Sequence, residues 1–152
     1  LKNATVSAEY ADYYEIETRL EKLLQEYEGV DWMKIAKKGD VVSDFLLALW
    51  SIHPFREGNT RTCITFLWHY LKGKGVDFQV ALLRNNPMYV RDSLVMANYN
   101  QEEYLRRIIS DALQGDVQES EYSVNEEQSG EQYKIAKADY EAFREKYSIK
   151  KE

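Results

Sequence analysis

The sequence predicts an all-α domain with a small β element at its N-terminus. Three observations carry this. Apolar residues recur at helical spacing through most of the chain, period-two alternation is confined to the first ten residues, and proline or glycine punctuates the periodic runs. Residues 4–10 set Val6, Ala8 and Tyr10 against Ser7 and Glu9, the pattern of an extended edge strand. Over residues 13–27, Ile16, Leu20, Leu23 and Leu24 fall on one face with charges between them, so an amphipathic helix is expected. Residues 41–52 carry Val42, Phe45, Leu46, Leu49, Trp50 and Ile52 around most of a helix, as a buried core helix requires; Asp40 or Ser43 can cap its start. Pro54 stops it, because proline removes a backbone donor and pushes the residue before it out of the helical region. A second buried helix is expected from near Asn59, through Cys63, Ile64, Phe66, Leu67, Tyr70 and Leu71, to the stop at Gly73 and Gly75. Shorter helices follow over residues 78–83, 88–96 and 102–113, the middle one opened by Pro87. Finally Tyr133, Ala136, Tyr140, Phe143 and Tyr147 form one apolar stripe on a charged helix, which needs the core or a partner to dock on.

The 152 residues fit one domain, with residues 1–12 as an N-terminal strand, 13–113 as the core, 114–131 as a linker and 132–152 as the tail helix. The linker reading rests on charge: Asp116, Glu119, Glu121, Glu126, Glu127 and Glu131 stand there without a lysine or arginine. A formal net charge of −6 and the lack of clustered cations argue against a nucleic-acid surface. Cys63 is the only cysteine, which excludes an intrachain disulfide and suits a reducing compartment. No apolar run approaches the roughly 20 residues that span a bilayer, and no signal peptide opens the chain, so a cytoplasmic protein without a membrane partner is expected.

Chemistry concentrates in His53-Pro-Phe-Arg-Glu-Gly-Asn-Thr-Arg61. A glycine before a helix start lets phosphate oxygens approach backbone N–H groups, and Asn59 and Arg61 add side-chain donors to the same anion. Glu57 is the carboxylate of the segment and the natural ligand for a Mg²⁺ ion bridging polyphosphate oxygens. His53 can accept a proton from an attacking hydroxyl at neutral pH. A lone histidine or acid is more often structural, and His69, with no polar constellation around it, is read as a satisfied core histidine. Five such groups within nine residues between two apolar helices read instead as a site.

The segment resembles the signature of the Fic/Doc family, H-x-F-x-[D/E]-G-N-G-R-x-x-R, matching it at His53, Phe55, Glu57, Gly58, Asn59 and Arg61. The likeness extends over roughly residues 1–113. It implies a Fic-type helical bundle in which a β-hairpin flap holds the target by strand addition; residues 1–10 look like the end of that flap, with Val6, Ala8 and Tyr10 against the target and the hairpin's other strand before Leu1. Tyr13 and Tyr14 adjoin it and are as readily plain packing. The implied activity is protein adenylyl transfer. His53 deprotonates a Ser, Thr or Tyr hydroxyl on a target protein or on the chain itself, and that oxygen attacks the α-phosphate of ATP. By the same resemblance Glu57 holds Mg²⁺ or Mn²⁺. Arg56, Gly58, Asn59, Thr60 and Arg61 hold the phosphates, and Phe55 anchors the loop.

Two positions depart from the signature. Thr60 replaces a glycine, and Ile64 stands where the family has its second arginine, which contacts the γ-phosphate and pairs with an inhibitory glutamate. Ser123 and Glu127 match part of that inhibitory motif, but with isoleucine at 64 the glutamate switch is expected to be absent. Transfer of a γ-phosphate as in Doc, transfer of UMP, and a noncatalytic nucleotide- or protein-binding module remain as further readings, as does a secreted effector.

Overall fold

The computed structural model describes residues 13–52, 59–114 and 133–147. The flap residues Val6, Ala8 and Tyr10, the side chains of Tyr13 and Tyr14, the motif residues His53, Phe55, Arg56, Glu57 and Gly58, and the linker with Ser123 and Glu127 lie outside them. The described residues form seven helices: α1 (Tyr13–Glu28), α2 (Lys38–Ser51), α3 (Asn59–Gly73), α4 (Val80–Arg84), α5 (Pro87–Ala97), α6 (Glu103–Leu113) and α7 (Lys137–Lys146). They are all-α; the expected β-hairpin falls among the residues not described.

α2 is central and packs against α1, α3, α5 and α6. Val42, Phe45, Leu46 and Leu49 follow the i, i+3, i+4, i+7 pattern of one helix face, and all are buried. Phe45 lies in an aromatic cluster, stacked on Tyr70 of α3 at 4.8 Å between ring centroids and meeting Tyr27 edge-on at 4.8 Å. The helix starts earlier than its apolar pattern: Lys37, in the left-handed region at φ 54°, precedes Lys38, so neither Asp40 nor Ser43 is a cap. Ser43 instead donates to the Gly39 carbonyl at 2.7 Å, the back-bond open to a serine inside a helix. Gly39 also lets α6 come close, since a Cβ there would stand 2.5 Å from Ser110 Oγ.

α3 ends in a Schellman turn. Val76 N–H donates to the Leu71 carbonyl at 2.9 Å and Gly75 N–H to Lys72 at 3.1 Å, with Gly75 at φ +78° where a side chain would be strained. Buried Val76 then covers Leu71, so the stop that glycine signals in sequence is also a packing contact. His69 is exposed on α3 beside Trp68, at 4.7 Å between ring centroids, rather than in the core. Its position turns it to the solvent side of a helix whose other face carries Cys63, Ile64, Leu67 and Leu71.

The tail docks on α5 and α6, but its helix begins only at Lys137; Ala136 is extended at ψ 135°. Tyr133 lies before the helix as a buried anchor. Its hydroxyl donates to Asp111 of α6, its ring meets Tyr89 of α5 edge-on at 5.3 Å, and the Arg107 guanidinium lies 5.4 Å from the ring centroid. Further along, Phe143 is buried against Tyr99, and the Tyr140 hydroxyl bonds Asp92.

Burial holds the Asp92 carboxyl above its ordinary value, against the opposing pull of Arg91, the Tyr140 hydroxyl and Arg144. A carboxyl raised on folding contributes most to stability below the unfolded value of 3.8, and the contribution is lost as pH rises through the folded value. Asp92→Asn, which keeps an acceptor for Tyr140 without a charge, is therefore expected to gain thermal midpoint relative to the parent as pH rises from about 3.5 to 7. Parallel melts across that range check the sign; a gap that widens in the parent's favour toward neutrality would contradict it.

Candidate active site

The sequence singles out the junction of the two buried helices, and the structure builds both of its ends. α2 runs to Ser51, whose hydroxyl donates to the Leu47 carbonyl at 2.8 Å, and Ile52 closes the last turn. α3 begins at Asn59, so residues 53–58 leave the end of one core helix and enter the start of the other. That order follows from Pro54 and Gly58: the first ends α2, and the second precedes a fresh helix start.

Asn59 ties the ends together. Its Nδ2 donates to the Trp50 carbonyl at 3.2 Å, nine residues back on α2, and its Oδ1 accepts from Cys63 Sγ at 3.6 Å, one turn on along α3. The carbonyls of a helix's last turn have no partner within the helix, so Trp50 O is an acceptor that the fold must satisfy. Among the described residues Asn59 Nδ2 has this one acceptor, so its second N–H can serve an incoming anion. Cys63 is buried in a setting that pushes its thiol up to about 12, so it serves as a neutral donor and packing group, not as a nucleophile.

The first turn of α3 presents N–H groups that lack intrahelical partners, with the positive end of a 15-residue helix dipole behind them and no acidic residue in that turn. Thr60 is half-buried and Arg61 exposed, which leaves the Arg61 guanidinium able to reach an anion there. Ile64 is 3% exposed and belongs to the hydrophobic core. The departure from the signature is therefore filled by packing: position 64 contributes to the α3 core face and offers no cation.

Among the described residues no group of three or more His, Cys, Asp or Glu side chains is placed to hold a metal ion. The expected metal ligand, Glu57, and the expected base, His53, lie outside those residues. The roles of Cys63 and of the Trp50 carbonyl were not anticipated. The first leaves a trace in sequence as the four-residue spacing from Asn59; the second is a backbone group and leaves none.

No helix among the described residues is long and apolar enough to cross a membrane. A search of curated proteins and a search of solved structures give no match. Comparison with protein families matches residues 2–71 to the Fic/DOC family, a range that takes in the whole of segment 53–61 and most of α3. Residues 2–71 thus match the Fic/DOC family, and the stretch between α2 and α3 is where they resemble its signature, with Thr60 and Ile64 departing from it.

Proposed function

We propose that the chain is a protein adenylyltransferase. His53 takes the proton from a serine, threonine or tyrosine hydroxyl of a target protein or of the chain itself. The freed oxygen bonds to the α-phosphorus of ATP, the bond from that phosphorus to the bridging oxygen breaks, and pyrophosphate leaves. The observation that carries the reading is the start of α3 directly after residues 53–58, where N–H groups without intrahelical partners, Asn59 and Arg61 share one helix start. A Mg²⁺ or Mn²⁺ ion on Glu57 would offset charge on the phosphates when bound. Gly58 would let the anion approach, Arg56, Asn59, Thr60 and Arg61 would hold it, and Phe55 would anchor the segment. Val6, Ala8 and Tyr10 would align the target as an added strand. The lone, buried Cys63 suits a reducing, cytoplasmic site of action.

A second reading has its own observation. With Ile64 packed in the core, no cation at that position contacts a γ-phosphate, so a nucleotide bound reversed, with transfer of its γ-phosphate, is the runner-up, beside transfer of UMP. Burial of Ile64 equally removes the arginine partner of an inhibitory glutamate, so Glu127→Gly is expected to leave activity within about twofold of the parent.

Intact-mass spectrometry after incubation with ATP and Mg²⁺, on the chain and on a cell lysate, tests the proposal. An AMP-sized gain that disappears with His53→Ala is the expected result. A phosphate-sized gain supports the runner-up, and no gain on either sample rejects transfer.

A further inference from the structure

Positive charge in this acidic chain gathers in one stretch of sequence, and part of it on one face. Residues 58–91 hold Arg61, Lys72, Lys74, Arg84 and Arg91 against one acid, Asp77, so this stretch is +4 while the rest of the chain is −10. Neither α3 nor α4 contains an aspartate or glutamate. Along α3, Arg61, Thr65, Trp68 and Lys72 recur at steps of four, three and four, which places them on one side of the helix. Arg61 and Lys72 are exposed there, and Thr65 and Trp68 are half-buried.

α4 adds to the same side. The Arg84 guanidinium lies 5.2 Å from the centroid of the Trp68 ring and donates to Thr65 Oγ1 at 3.4 Å. Lys72 Nζ stands 5.5 Å from the same centroid. One indole thus has two exposed cations within 5.5 Å of its centroid, each attracted by the ring. A guanidinium with five N–H donors, bonded once to a hydroxyl, keeps most of its hydrogen-bonding capacity for an incoming carboxylate.

We propose that this face docks an acidic segment of the protein substrate; that the partner is the substrate rests on the transferase reading above. The face starts at Arg61, in the first turn of α3, so a segment lying along it leads to the helix start where the phosphates would sit. From Arg61 to Lys72 it spans roughly 16 Å at 1.5 Å per helical residue, which is about five residues of extended peptide. That length selects the class of partner. A short run of glutamates or aspartates is matched by the cations of the face. A longer polyanion such as nucleic acid would extend onto the remaining chain, at −10, and be repelled.

The test is fluorescence anisotropy of a labelled peptide of about five glutamates with the full chain at low salt and without ATP. Saturable binding is expected, weakened at least about tenfold by Lys72→Glu/Arg84→Glu. It should change by less than about twofold in Lys22→Glu/Lys34→Glu, which makes the same charge change on two exposed lysines elsewhere. Thermal melts confirm that both double variants fold. Absence of saturable binding overturns the proposal. So does an equal loss in both double variants, which would reduce the effect to net charge, and so does tighter binding of an oligothymidine of equal charge. Because binding is read without nucleotide, a chain that binds the peptide but transfers nothing keeps the face and loses the transferase. A chain that modifies proteins but does not bind the peptide loses the face alone.

Discussion

Phe45→Ala is expected to lower the unfolding free energy by about 3–5 kcal/mol, the cost of removing a large aromatic from a closed site. Phe45 is fully buried and joins the two helices that flank the motif: it stacks on Tyr70 of α3 and meets Tyr27 and Trp32 edge-to-face. Each such ring pair adds about 0.5–1.5 kcal/mol beyond area burial. The cluster has an opposing term as well. Among the described residues Trp32 Nε1 and the Tyr70 hydroxyl, buried in it, have no hydrogen-bond partner, which lowers its net contribution. At roughly 2–4 °C per kcal/mol for a chain of this size, the thermal midpoint should fall by about 6–20 °C. Phe45→Leu, which leaves less empty space, should lose less than half of that. If circular-dichroism melts of Phe45→Ala moved by under about 3 °C, the ring would not be a packing centre and its pairing with Tyr70 could not be what sets α2 against α3.

That cluster also shows which parts of the molecule the sequence discloses. Apolar spacing identifies Phe45 and Tyr70 as inward-facing, because each needs only its own helix to be recognised. It does not pair them, since they meet across 25 positions of chain. Boundaries behave the same way. The start of α3 near Asn59 and its end at Gly73 are legible because glycine and proline act locally. The start of α2 is not, because Gly39, which resembles a breaker, is held inside the helix by its close approach to Ser110 of α6. Tyr133 continues the apolar stripe of the tail in sequence, yet a bond to Asp111, 22 residues away, holds it outside the helix. His69 stands among apolar neighbours in sequence, and helix geometry still turns it outward, away from the face of Cys63, Ile64, Leu67 and Leu71. The candidate site was legible as a set of residue types, since base, acid, glycine, amide and cation each have a use with phosphate. What those types cannot convey is a second task for one of them. Asn59 reads as a donor to an anion, but its partner in the fold is a carbonyl, a group every residue carries.

Asn59→Ala is therefore expected to lower transfer by about a hundredfold or more while costing only about 1–2 kcal/mol of stability. The small stability term follows from losing one bond to a carbonyl and one weak bond from a thiol, at 3.2 and 3.6 Å. The large activity term follows from position. The Trp50 carbonyl closes α2, Asn59 opens α3, and the span between them includes both the expected base, His53, and the expected metal ligand, Glu57. Releasing the tie lets the two ends of that span shift relative to each other, and a displacement of the order of 1 Å can cost about a hundredfold in rate. Loss of an N–H for the phosphate acts in the same direction, so two further variants separate the roles. Cys63→Ala removes only the thiol donor; it should leave turnover within about threefold and fall in stability through the small cavity it opens. Asn59→Asp keeps an acceptor for Cys63, loses the bond to Trp50 and places a negative charge at an anion site. It should lose turnover as Asn59→Ala does and in addition raise the KM for nucleotide. Turnover and KM for ATP, measured on all three beside their melts, give the comparison. If Asn59→Ala raised KM with turnover intact, Asn59 would be a ligand of the nucleotide alone, and the tie to Trp50 would be packing without consequence for the chemistry.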